Sequence, residues 1–167
     1  MDNTLPKYPR ILAIAPSTSG FGLAVVEGIN TLADWDSKRV RKDKNNGCMA
    51  QVEKAIARYQ PDVLVLEDSL QKENRRSPRI KALMKRIMAL AKKRGVQVTV
   101  LPRKDVRAVF FSDGLGTKDA LAKLVAERFP EELARHLPPK RKEWMSEDPQ
   151  MAMFEAVALA LAFRRKR

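Results

Sequence analysis

Ile11-Leu12-Ala13-Ile14-Ala15-Pro16-Ser17-Thr18-Ser19-Gly20-Phe21-Gly22-Leu23-Ala24-Val25-Val26 reads as a buried strand, a tight polar turn and a second buried strand. Apolar runs broken by a cluster of Ser, Thr and Gly are the hairpin pattern, and they place paired strands at residues 11–15 and 21–27. Further on, Val63-Leu64-Val65-Leu66 is a continuous apolar run that ends on Glu67. A strand with no polar alternation is buried on both faces, which suits the centre of a sheet covered by helices.

The rest of the chain fits around these strands. A third, weaker strand falls within residues 31–41. Met49, Val52, Ile56 and Ala57 stand at helical spacing in residues 48–59, and Pro61 ends that helix. Residues 78–94 form a helix with Ile80, Leu83, Met84, Ile87 and Leu90 in one stripe, and Gly95 caps its end. Val96 to Leu101 is a strand. Residues 103–111 and 117–128 read as helices, residues 131–136 as a short helical turn, and Pro138 to Trp144 as a basic loop. The last helix spans 149–164, with Pro149 in its first turn. A three-strand meander followed by alternating helix and strand is an α/β arrangement with a mixed sheet and helices on both faces.

The 167 residues make one domain by length, with flexible ends expected at 1–9 and 165–167. The net charge of +13 is the outstanding property of the composition. Such a charge points to an anionic polymer or membrane surface, and phosphate contacts would make binding strongly salt-dependent. The one cysteine, Cys48, rules out a disulfide within the chain and fits a reducing compartment. The first residues lack an apolar secretory core, and the longest apolar run, Ala156 to Phe163, is too short to span a bilayer. A cytoplasmic, unsecreted protein without membrane contact is expected. His136 is the sole histidine, so a metal here would be held by carboxylates, which favours magnesium or manganese. No small-molecule cofactor is indicated.

Several residues stand where chemistry is possible. Glu67 follows the buried strand directly, and ligands gather at the carboxyl ends of strands in α/β sheets. Glu155 lies between Phe154 and the apolar run from Ala156, so it must reach solvent or a cation. Asp148 precedes Pro149 and is either an N-cap or a ligand. Asp148 and Glu155 are separated by roughly 10 Å along the helix axis, too far for one ion if both project straight outward. Lys118 follows Thr117, a plausible N-cap, and a lysine in the first turn opposes the helix dipole, so contact with phosphate is its candidate role. Basic residues cluster after Glu67 at Lys72, Arg75, Arg76, Arg79, Lys81, Lys85 and Arg86. Others stand at Arg103, Lys104 and Arg107, at Lys140-Arg141-Lys142, and at Arg164 to Arg167. Residues 71–77 are polar without an apolar stripe and read as a loop that could order on nucleic acid.

With these residues in place, the chain resembles the RuvC family of Holliday-junction resolvases, of the ribonuclease-H-like superfamily. Ile11 to Ser17 is similar to the family's first strand, Pro61 to Glu67 to its second acidic motif, and Gly116-Thr117-Lys118-Asp119 to its lysine-bearing segment. Phe154-Glu155-Ala156-Val157-Ala158-Leu159-Ala160 looks like its last acidic helix. The sequence departs from the family twice. Ala15 stands at the position of the first metal-binding aspartate. Met151 and Ala152 stand one turn before Glu155, where a further acid is usual, and Asp148 could substitute.

The resemblance implies a homodimer that binds four-way DNA junctions and cuts them symmetrically with two Mg2+ or Mn2+ ions. Glu67, Asp148 and Glu155 would be the metal ligands, and Lys118 would stabilise the transition state. Arg75, Arg76, Arg79, Arg103, Lys104, Arg107 and Lys72 would hold DNA, with Leu70 as the wedge that enters the junction. The stripe of residues 80–90 is a candidate dimer face or ordinary core. Ala15 reads as a catalytic ligand removed, and as an engineered change, so the chain is expected to bind but to cut poorly. A natural pseudo-nuclease, or a nuclease acting on structured RNA, are the alternatives.

Overall fold

A computed structural model describes residues 5–68 and 76–167. The strands are β1 (Ile11–Ser17), β2 (Gly20–Glu27), β3 (Thr31–Arg39), β4 (Val63–Glu67) and β5 (Gln97–Leu101). The helices are α1 (Lys44–Tyr59), α2 (Pro78–Lys93), α3 (Arg103–Phe110), α4 (Lys118–Arg128), α5 (Pro130–Leu133) and α6 (Met151–Lys166), with a 3-10 turn at Ala134–His136. The sheet order is β3-β2-β1-β4-β5. The first three strands form an antiparallel meander, and β4 and β5 join parallel to β1. The chain is thus the mixed-sheet α/β fold read from the sequence.

Alternate side chains of the central strands serve opposite faces, as the two-residue strand period requires. Ile11, Ala13, Ala15, Val63 and Val65 face a core built with α3, α4 and α6. Leu12, Ile14, Leu64 and Leu66 face a second core built with α1 and α2. Burial on both sides explains the unbroken apolar runs of β1 and β4.

The stripe offered as a dimer face has an internal role instead. Ile80, Leu83, Met84 and Ile87 are buried, and Leu90 packs against the same core. A helix with one apolar stripe lays it on the nearest sheet, and here that sheet is its own.

Local chemistry sets the element ends. Ser77 accepts a hydrogen bond from the Ile80 amide at the start of α2, and Thr117 does the same for Ala120 at the start of α4. Gly95 takes the left-handed conformation (φ +74°) after α2. Gly22 is required by close approach, because a Cβ there would lie 2.0 Å from the Ala152 carbonyl oxygen. That contact seats the first turn of α6 directly on β2, beside Ala15, the ladder partner of Gly22.

The chain ends, expected to be flexible, carry contacts. Leu5 packs against the core, and Arg164 donates to the Pro9, Gly28 and Ile29 carbonyls. Burial lowers the pKa of Arg164, the adjacent Arg167 adding to the effect. Lys166 pairs with Asp105 at 2.8 Å, and Arg167 donates to the Pro6 carbonyl.

Candidate functional site

The carboxyl ends of β1 and β4 lie side by side in the sheet, since Ile14 pairs with Leu66 in the parallel ladder. That register brings Ala15 and Glu67 to the same edge. Helix α6 crosses the same face of the sheet and adds Glu155. Ala15, Glu67 and Glu155 line one narrow cleft of about 20 Å³ with Arg76, Arg103, Val106, Arg107, Leu121 and Leu159. A space of that size holds about one water molecule.

The carboxylates in this cleft already have partners. Glu67 Oε2 accepts from Arg76 Nη2 at 3.0 Å and Nε at 3.3 Å. The same Arg76 Nη2 lies 3.9 Å from Glu155 Oε2. Lys118 Nζ stands 3.6 Å from Glu155 Oε1 and 2.8 Å from Glu147 Oε1. Arg107 Nη2 stands 4.0 Å from Glu155 Oε1. Arg107 is only 5% exposed, and its Nη2 has no hydrogen-bond partner among the described residues. Burial pushes the Arg107 pKa down, Arg103 pushes it further, and Glu155 and Glu67 act against them.

Ala15, Glu67, Glu155, Arg76, Arg103, Arg107 and Lys118, all singled out in the sequence, therefore meet. Lys118 reaches the site and is held by two glutamates. Asp148 lines adjoining grooves, one with Lys118, Arg141 and Glu147 and another with Trp35 and His136. It is not among the residues lining the Ala15 cleft. Its Oδ1 accepts from the Gln150 amide and its carbonyl from Met151, so it shapes the entry to α6. Met151 and Ala152 are buried core residues.

Arg79 donates to Asn45 Oδ1 at 3.1 Å and to the Ser17 carbonyl at 3.3 Å, which ties α2 to α1 and to the end of β1. Arg103 lines the cleft and is exposed, and Lys104 is exposed next to it in the chain. Leu70, Lys72 and Arg75 lie outside the described residues.

Two features were missed by sequence reasoning. Arg76 joins Glu67 to Glu155, although nothing in its basic run sets it apart. Glu147 anchors Lys118, and the only signal was an acid beside Asp148 in a basic segment.

The donors present do not fit the two-metal centre that the resemblance implies. Among the described residues no group of three His, Cys, Asp or Glu side chains comes together to hold an ion. The two glutamates that do meet are bound by the protein's own cations.

A groove of about 400 Å³ continues from the cleft, lined by Arg103, Lys118, Asp119, Pro138, Pro139, Arg141, Glu147, Asp148 and Met151. The loop beyond it carries Trp144, 79% exposed, with Lys142 Nζ 5.2 Å from its ring centre. Among the described residues no helix is long and apolar enough to cross a membrane.

No protein-family model and no curated protein sequence matches the chain. Solved structures do match its fold. Thermus thermophilus RuvC is 18% identical with a TM-score of 0.65, over 92% of each chain. The same protein in complex with Holliday junction substrate is 18% identical with a TM-score of 0.65, over 94% of this chain and 95% of that one. The yeast mitochondrial Holliday junction resolvase Ydc2 is 13% identical with a TM-score of 0.63, over 96% of this chain and 79% of the other. The chain has the ribonuclease-H-like fold of the RuvC-type junction resolvases.

Proposed function

We propose that this protein binds four-way DNA junctions in the manner of a resolvase, and that its hydrolytic step is impaired. The observation that carries this reading is the meeting of Ala15, Glu67 and Glu155 in one cleft with a strongly basic rim. On this reading the cleft is the counterpart of a nuclease's catalytic corner, with the Ala15 methyl group where the first strand would present a carboxylate.

Binding rests on the cations around the cleft and groove. Arg103, Lys104 and Arg141 are exposed and free to meet phosphates, and the charge of +13 draws the polyanion in from a distance. A two-fold junction would be matched by a two-fold dimer, so a homodimer is part of the proposal. Magnesium or manganese chemistry would need ligands beyond Glu67 and Glu155, so no hydrolytic step is drawn through a metal here.

The buried Met151 and Ala152 favour a natural binding module over an enzyme with one altered residue. A single change at Ala15 would leave an acid one turn before Glu155, and none is there.

The test is a titration of labelled four-way junction, duplex DNA of the same sequence, and duplex RNA. Junction preference of about tenfold or more is expected. The log–log salt slope should be steeper than about −3, as release of several counterions requires. Equal affinity for junction and duplex DNA refutes junction recognition, and tighter binding to RNA reassigns the substrate. Symmetric nicks made by the unaltered chain with magnesium would refute the impaired hydrolysis.

A further inference from the structure

We propose that Arg76, Arg107 and Lys118 take the place of the divalent metal in this cleft, so that a phosphodiester is held at its basic mouth without a metal. The inference concerns the ion the cleft accepts, and its metal arm stands whether or not the protein prefers junctions.

The argument begins with charge. A carboxylate pair at the end of a sheet needs a counter-cation, because two like charges held close and partly desolvated repel. Glu67 and Glu155 have side-chain exposures of 12% and 13%, so solvent supplies little of that compensation. Arg76 supplies it by reaching both, at 3.0 Å and 3.9 Å. Lys118 and Arg107 approach Glu155 from other directions, at 3.6 Å and 4.0 Å.

A divalent ion entering here would have to displace Arg76 from Glu67 and settle next to a buried guanidinium that cannot give up its proton. Three arginines, Arg76, Arg103 and Arg107, line the cleft against the two carboxylates of Glu67 and Glu155, so the cleft attracts anions.

Arg107 adds an independent observation. Its side chain is 6% exposed, and its buried Nη2 donor has no hydrogen-bond partner among the described residues. Buried donors are ordinarily satisfied, and the space beside this one holds about one water-sized acceptor and no hydrated metal ion. Apolar residues close the alternative. Ala15 lines the cleft with a methyl group and no carboxylate, and α6 packs on its ladder partner Gly22.

The experiment is a Mn2+ titration followed by electron paramagnetic resonance, with junction affinity measured in chelator and in magnesium at equal ionic strength. The unaltered protein should take up no Mn2+ that Glu67→Gln abolishes. Ala15→Asp alone should remain at least about tenfold weaker for Mn2+ than Ala15→Asp combined with Arg76→Gln and Arg107→Gln, because like-charge repulsion persists. Junction affinity should agree within about twofold with and without magnesium, since the phosphate contacts are the protein's own.

Stoichiometric Mn2+ uptake by the unaltered protein, lost in Glu67→Gln, overturns the proposal. So does a tenfold loss of junction affinity in chelator. If the combined variant fails to fold, the unaltered protein and Glu67→Gln still decide the matter. Failure to bind any junction counts against the proposed function, and the Mn2+ result then stands alone.

Discussion

Replacing Glu155 with glutamine should destabilise the protein far more than a conservative change on a helix normally does. Arg107 is the reason. Its guanidinium is buried against α6, and Glu155 Oε1 at 4.0 Å is its nearest counter-charge among the described residues. A unit pair at that separation attracts with about 4 kcal/mol at an effective dielectric constant of about 20. Breaking a buried pair by removing one partner costs about 3–5 kcal/mol, because the other charge is left uncompensated. Glu67 remains to offset part of this, since it also favours the charged form of Arg107. The low end of that range, about 3 kcal/mol, is therefore expected.

For a chain of this size each kcal/mol moves the melting midpoint by about 2–4 °C, so Glu155→Gln should melt about 6–12 °C lower. Urea denaturation gives the free energy, and the pair Glu155→Leu with Arg107→Met gives the control. Replacing both charges with apolar groups should recover most of the loss, because the desolvation cost of the guanidinium disappears with it. If Glu155→Gln shifts stability by less than about 0.5 kcal/mol, the level of an ordinary surface substitution, Arg107 does not depend on Glu155 and the reasoning fails. If the apolar pair is no better than Glu155→Gln alone, the cost lies in packing and not in charge.

Three other outcomes are expected. Gly22→Ala should cost about 1–3 kcal/mol or more, because its Cβ would meet the Ala152 backbone at 2.0 Å and helix α6 would have to shift; an unchanged urea midpoint would mean α6 is not seated there. Tyr59 donates its hydroxyl to Asp34, and burial followed by that hydrogen bond raises its pKa to about 12. A folded-state pKa raised above the unfolded value of 10.0 stabilises below pH 10 and loses that stabilisation as pH rises toward 12. Absorbance titration should show a late phenolate step that Tyr59→Phe removes, and a chain whose tyrosines all ionise near 10 contradicts it. Trp144→Ala should weaken junction affinity by about 1–3 kcal/mol, the worth of one base stacked on an exposed ring, and unaltered affinity would place that ring clear of DNA.

The sheet was legible because its signal is local. Unbroken apolar runs at Ile11–Ile14 and Val63–Leu66 require burial on both faces, and the order of strands and helices then leaves few topologies. Boundaries were less legible where propensity and packing disagree. Helix α1 begins at Lys44, ahead of the expected residue 48, although Asn45, Asn46 and Gly47 are weak helix formers. Asn45 and Asn46 hydrogen-bond to α2 through Arg79 and Arg86, and those tertiary contacts outweigh the propensity. Helix α6 starts two residues later than expected, since Asp148 and Pro149 form its entry turn.

The site was legible as a set of carboxylates and illegible as a charge network. Glu67 could be picked out by its place after a buried strand, and Glu155 by the apolar residues on either side of it. An acid in such surroundings must reach solvent or a cation. The sequence could not say which cation, because the partners arrive from far along the chain. Arg76 stands beyond β4, Arg107 belongs to α3 and Lys118 opens α4. In a basic run each of these looks like a solvated or DNA-facing side chain, and only tertiary packing turns Arg107 inward. The same packing changes the meaning of Ala15. As a lone departure from a motif it suggests one missing ligand in an otherwise working centre. Beside Arg76 and Arg107, which line the same cleft, it belongs to a site whose carboxylates are answered by the protein's own cations. Placing an aspartate at position 15 would therefore add one carboxylate to the cleft and leave the arginines in place.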